Sequence, residues 1–146
     1  MSNDIVSPFR RLVRQGAPVI GLCAGLFALP AFAQDQAVAS ATAADGKVRI
    51  DILSLKRSEG ETLTLRILFT NNSNDSYNPT LGNIRLIDMI GRRLYSPGLT
   101  SPTCNTPVGQ KQVCYAIFGA PPAGTQKLNV QFYEKVDLIS GVPVSE

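Results

Sequence analysis

The chain contains no histidine and no tryptophan. Without histidine there is no Ser-His-Asp or Cys-His catalytic machinery and no His-bearing zinc site. Cysteine is scarce, at three residues, and no Gly-rich segment matches a phosphate-binding loop. Charged residues make up only 17% of the chain, and no basic run is interleaved with aromatics as nucleic-acid binding requires. These absences favour functions that work through surface and shape and leave, for an enzyme, only carboxylates or the cysteine pair.

What is present begins with an export signal. Arg10, Arg11 and Arg14 precede an apolar run, Gly16 to Ala33, that ends in Ala31-Phe32-Ala33. A basic start, an apolar stretch and a small-x-small end make a secretory signal peptide, with cleavage expected between Ala33 and Gln34. The alternative is a retained N-terminal anchor. Against it, the run holds two prolines and three glycines and falls short of the roughly twenty apolar residues a spanning helix uses. Cys23 raises the question of lipidation, but Leu22 is too large for the position before a lipidated cysteine. Arg10-Arg11 hints at twin-arginine export, and Leu12-Val13-Arg14 fits that pattern poorly. The expectation is a bacterial protein, periplasmic or secreted, with no stable membrane span after cleavage.

Cleavage changes the charge. The fourteen Lys and Arg lose Arg10, Arg11 and Arg14, and the eleven Asp and Glu lose Asp4, leaving a net charge near +1. That balance supplies no electrostatic case for nucleic acid or an anionic membrane, so another envelope or secreted protein is the expected partner. It also leaves Cys104 and Cys114, an even pair in an exported chain, which reads as a disulfide. Closing so short a loop is worth roughly 2 to 3 kcal/mol. A redox-active pair would favour Cys-x-x-Cys spacing.

Periodicity assigns the rest. Residues 34–46 are Ala-rich and small and read as a flexible lead-in to a domain at 47–146. Val48, Ile50 and Ile52 alternate with polar residues, and the phase then slips to Leu53 and Leu55, which predicts a bulge. Leu63, Leu65, Ile67 and Phe69 mark the clearest strand. Asn71 to Thr80 concentrates Asn, Ser, Asp and Pro and reads as a loop. Asn83 to Ile90 is apolar on both parities, the pattern of a strand with little exposed face, and a turn leads to Arg93-Leu94-Tyr95. Pro97 to Gly109 reads as a long irregular connection. Gln112 to Phe118, Lys127 to Glu134 and Val136 to Val144 supply the last strands, the second with Leu128, Val130 and Phe132 inward. About seven short strands and no convincing helix predict an all-β, antiparallel immunoglobulin-like sandwich.

Three sets of side chains are candidate sites. Asn72, Asn74, Ser76 and Asn78 place oxygens at alternate positions, as calcium loops do. Only Asp75 is acidic, it falls off the alternation, and Tyr77 stands where glycine is needed. The loop therefore reads as a polar turn and contact surface carried by Asn72, Asn74, Asp75 and Tyr77. Asp88, Glu134 and Asp137 are carboxylates available for acid-base chemistry, but nothing in their spacing makes them converge, and they read as outward charges on strands. Tyr77, Tyr95, Tyr115 and Tyr133 suit a binding surface, although core-edge packing is the commoner use. No metal, cofactor or catalytic residue is expected.

The chain resembles the bacterial secreted immunoglobulin-like domains of unknown function, a grouping similar in fold to a secreted immunoprotective antigen. The resemblance is carried by Phe69-Thr70-Asn71-Asn72-Ser73, by Leu86-Ile87-Asp88 running through Gly91 to Tyr95, by Phe118 with Pro121 and Pro122, and by Leu128-Asn129-Val130. It covers Lys47 to Val144. One departure is the segment around Cys104 to Cys114, where the family carries a Pro-Gly turn. The resemblance implies a non-enzymatic interaction or accessory module, binding through loops or a sheet edge. The alternative is a structural subunit of an envelope or secretion assembly.

Overall fold

The structure, a computed structural model, describes residues 36–133 and 136–146. The expected signal peptide, its cleavage pair Ala33–Gln34, Cys23 and Glu134 lie outside the described residues.

Among the described residues nine strands form two antiparallel sheets. They are β1 (Ala39–Ala43), β2 (Val48–Ser58), β3 (Thr62–Asn71), β4 (Arg85–Asp88), β5 (Arg93–Tyr95), β6 (Pro97–Thr100), β7 (Lys111–Gly119), β8 (Lys127–Gln131) and β9 (Ile139–Pro143), with a 3-10 turn at Leu81–Asn83. One sheet runs β1-β2-β3-β7-β6 and the other β5-β4-β8-β9. Inward side chains of both sheets build one core, as alternation requires. Leu63, Leu65, Ile67 and Phe69 of β3 are fully buried and meet Leu86, Leu128 and Val130 from the other sheet in one cluster. Phe132 stands edge-on to Phe69 at 6.5 Å.

The phase slip in β2 is a bulge. Pairing with β3 shifts register between Ile52 and Ser54. Leu53 is thereby buried outside the core cluster, on the outer face of the sheet. The bulge also divides the free edge of β2 between two partners. β1 covers it from Val48 to Ile52. Beyond the bulge Ser145 takes over, with a parallel bridge to Lys56 and backbone bonds to Arg57 (2.8 Å) and Leu55 (2.9 Å).

Four expectations are corrected. The lead-in at 34–46 contains strand β1, held in place because Ala43 reaches the core and the Ser40 hydroxyl bonds the carboxylate of Asp51 on β2. The strand expected over Asn83 to Ile90 is only Arg85–Asp88. Asp88 accepts bonds from the amides of Ile90 (3.0 Å) and Gly91 (2.9 Å) and so ends the strand early, leaving Met89 and Ile90 exposed. The connection at Pro97 to Gly109 opens with strand β6, where Pro97 is tolerated because the strand is an edge. The last strand spans Ile139–Pro143 rather than Val136 to Val144.

Candidate functional site

The loop Asn71 to Thr80 and the connection from Ser101 to Gln110 meet at one end of the sandwich, and Asn71 joins them. Asn71 continues the inward parity of β3 and is fully buried. Its amide nitrogen donates to the carbonyls of Asp75 (2.8 Å) and Thr106 (2.9 Å), and its Oδ1 accepts from the amide (2.9 Å) and hydroxyl (2.7 Å) of Ser73. Its backbone pairs with Gln110 and Gly109. Tyr77 and Thr106 then exchange reciprocal backbone bonds of 3.0 and 2.8 Å. In the sequence Asn71 reads as the start of a loop; the signal that would have found it is the continued parity of β3, which puts the residue two beyond Phe69 on the core side.

The four residues expected to form a contact surface therefore divide. Asn72, Asn74 and Asp75 are exposed. Tyr77 is half-buried, its ring centroid 5.7 Å from that of Phe69, and it seals the end of the core. The bridge Cys104–Cys114 pins the second loop to β7, with Cα atoms 5.9 Å apart. Both sulfur-bearing residues are buried, which shields them from thiol exchange. Thr106 is buried beside this junction, and among the described residues its hydroxyl has no hydrogen-bond partner.

Of the candidate carboxylates, the two among the described residues, Asp88 and Asp137, lie in different places. Asp88, expected to face outward, is buried in the β4–β5 turn with its oxygen engaged by two amides. Asp137 is exposed beside β1, in a hollow lined by Ser40 and Thr42. Among the described residues no three His, Cys, Asp or Glu side chains cluster as metal ligands would. The tyrosines separate as well. Tyr95 buries its hydroxyl, whereas Tyr133 is exposed with the Arg85 guanidinium 6.0 Å from its ring centroid.

A surface not anticipated from the sequence lies on the outer face of the five-stranded sheet. Residues directly opposite in an antiparallel pair share a face, so the register places Asp51, Leu68 and Val113 in one row and Arg49, Thr70 and Lys111 in the next. Arg66 pairs with Tyr115, and Lys56 and Ile117 both pair with Thr64. Val113 is 50% and Tyr115 37% exposed. A groove of about 770 Å³ crosses this face, floored by Leu53, Leu68 and Val113 and reaching Asn72 of the loop end. The acid these strands place on the face is Asp51. It is buried and occupied by Ser40 and by the Arg49 guanidinium at 2.8 Å. With Arg49 paired to Asp51, Lys111 at the groove and Lys56 further along β2 add positive charge to the face around an apolar floor. The signal lay in β7, which is apolar on both parities from Val113 to Phe118.

No family model, curated protein or solved structure matches the chain. The geometry of the groove and the loop end therefore carries the functional argument.

Proposed function

We propose that this chain is an exported, non-enzymatic interaction module with an immunoglobulin-like sandwich, which binds an acidic segment of another envelope or secreted protein. The observation that carries the reading is the groove on the outer sheet face. An uncovered sheet face with an apolar floor and a cationic rim fits a partner that brings apolar side chains and carboxylates.

Strand order supports the fold reading and the resemblance. With β2 to β9 lettered A, B, C, C′, D, E, F and G, the sheets read A-B-E-D and C′-C-F-G, the arrangement of immunoglobulin-type sandwiches, with β1 added outside A. The basic and apolar N-terminal stretch supports export to the periplasm or beyond, and the buried disulfide agrees with an oxidising compartment. The absence of histidine from the chain and the scattered carboxylates support a non-enzymatic role.

Photocrosslinking tests it. A benzophenone side chain at Val113, in the producing cell, is expected to give a discrete adduct with a partner protein, and Lys111→Glu is expected to abolish it. An absence of adducts from both Val113 and Asn72 would overturn the reading.

One observation favours the alternative of a structural subunit. β1 is an edge strand of five residues, Ala39–Ala43, without proline or charge, and such an edge accepts a partner strand. Sedimentation separates the two: a monomer favours the module, and a particle that Ala41→Pro dissolves favours the subunit.

A further inference from the structure

The β4–β5 hairpin turns at the end of β4 away from Asn71 and ends in residues that a soluble surface does not ordinarily combine. Ile90 is 97% exposed, Met89 66% and Leu94 61%. Arg92 and Arg93 beside them are exposed, and among the described residues no ion pair engages either guanidinium. The acid of the turn is withdrawn: Asp88 is buried, its Oδ1 held by the amides of Ile90 and Gly91. The same bonds fix the tip. A side chain at Gly91 would bring its Cβ within 2.3 Å of Asp88 Oδ2, so glycine there lets the carboxylate stay folded under the turn. Ile90 is consequently held outward.

Leu86 of β4 and Ile84 just before the strand turn inward, so Met89 and Ile90 in the turn serve neither the core nor the face of a sheet, and Leu94 lies exposed on β5. Ile87, Met89 and Leu94 surround a shallow hollow of about 450 Å³ that Asp88, Arg92 and Arg93 also line. Apolar side chains at a narrow, preformed tip, flanked by two exposed arginines, with Asp88 drawn under the turn and Glu61 sharing a second hollow with Arg93, match an interface of acyl chains beneath phosphates. The apolar groups enter the acyl boundary while the guanidiniums stay at phosphate depth. The net charge of the chain does not report this local grouping of two exposed arginines.

We propose that the tip formed by Met89, Ile90, Arg92 and Arg93 is a docking site for an anionic phospholipid surface. It is independent of the groove, and it lies at the end of β4 opposite the loop end. A protein contact at the same tip would be insensitive to lipid charge.

The test reads the tip itself, since the apolar run at 16–33 of the full chain binds vesicles by its own hydrophobicity. In a Cys23→Ser background the remaining native cysteines are bonded to each other, so a cysteine introduced at Met89, or separately at Asn74, carries an environment-sensitive fluorophore. Vesicles of phosphatidylcholine with phosphatidylglycerol are expected to blue-shift the label at 89 and leave that at 74 unchanged. Pure phosphatidylcholine is expected to shift neither. Arg92→Asn with Arg93→Gln, the asparagine suiting the left-handed backbone at 92 (φ 50), is expected to weaken the anionic titration roughly thirtyfold. Ile90→Ser, which keeps both charges, is expected to remove the blue shift. An unchanged label at 89, an equal shift on pure phosphatidylcholine, or a titration indifferent to the arginine changes would each overturn the proposal.

Discussion

Changing Asn71 to aspartate replaces one atom of the side chain and removes the donor of two hydrogen bonds. Oδ1 still accepts from the amide and hydroxyl of Ser73, so half of the junction survives. The other terminal atom, now an oxygen, faces the carbonyls of Asp75 and Thr106 at the former distances of 2.8 and 2.9 Å. Two bonds of about 0.5 to 1.5 kcal/mol each are lost, and two acceptors then confront a third. Thr106 keeps its bond from the Tyr77 amide, which limits the penalty, whereas the charge of a carboxylate at a fully buried position adds to it. Together these place the loss at about 3 kcal/mol near neutral pH, a large part of a small domain's 5 to 15 kcal/mol.

The pH dependence supplies the sharper test. Burial and two facing carbonyls raise the folded-state pKa of the new carboxyl above its unfolded value of about 3.9. Stability relative to the parent is therefore highest below that unfolded value and is lost as pH rises toward the folded one. In the protonated form the carboxyl donates one of the two missing bonds. Urea unfolding of parent and variant at acid and neutral pH, read as their difference, is expected to show the smaller deficit in acid. Hydrogen exchange is expected to speed at Tyr77 and Thr106. A variant within about 0.5 kcal/mol of the parent, or a deficit that does not change with pH, would refute the role given to Asn71.

Changing Cys104 and Cys114 together to serine is expected to lower stability by roughly 2 to 3 kcal/mol in urea titration, with a single cooperative transition retained. Gly91→Ala is expected to displace the Asp88 carboxylate and cost about 1 to 2 kcal/mol. In an Asp88→Ala background the same change is expected to be nearly silent, a coupling that a double-mutant cycle measures. Val113→Glu, on an exposed side chain, is expected to leave stability within about 0.5 kcal/mol, so any binding it abolishes reports on the groove.

The parts of the fold that could be read in advance were those governed by neighbours along the chain. The inward set Leu63, Leu65, Ile67 and Phe69, the set Leu128, Val130 and Phe132, and the slip at Leu53 all follow from a period of two, and all are found. Asn71-Asn72-Ser73, part of the resemblance, is a local device too: Oδ1 of the first residue caps the amide of the third. The misreadings share one origin. β1 looked too small and polar to bury, yet a bond between Ser40 and Asp51, eleven residues apart, and the contact of Ala43 with the core hold it. Asp88 read as an outward charge because its partners are amides of the turn it creates.

Local patterns along the chain were enough to say which of the strand residues Leu63, Leu65, Ile67, Phe69, Leu128 and Val130 face the core, that Cys104 pairs with Cys114, and where polar loops interrupt the strands. Alternation and turn chemistry act over a few residues, and composition limits the partners open to a thiol. Tertiary structure alone decided that the two polar loops close over Asn71 and that the outer face of β2, β3 and β7 is apolar at its floor and cationic at its rim. It also decided that Ile90 stands clear of the core with two arginines beside it. The first two depend on the register between strands distant in the chain, which no single stretch of residues encodes, and the third on whether Asp88 turns back on its own backbone or faces outward, which alternation along β4 leaves open.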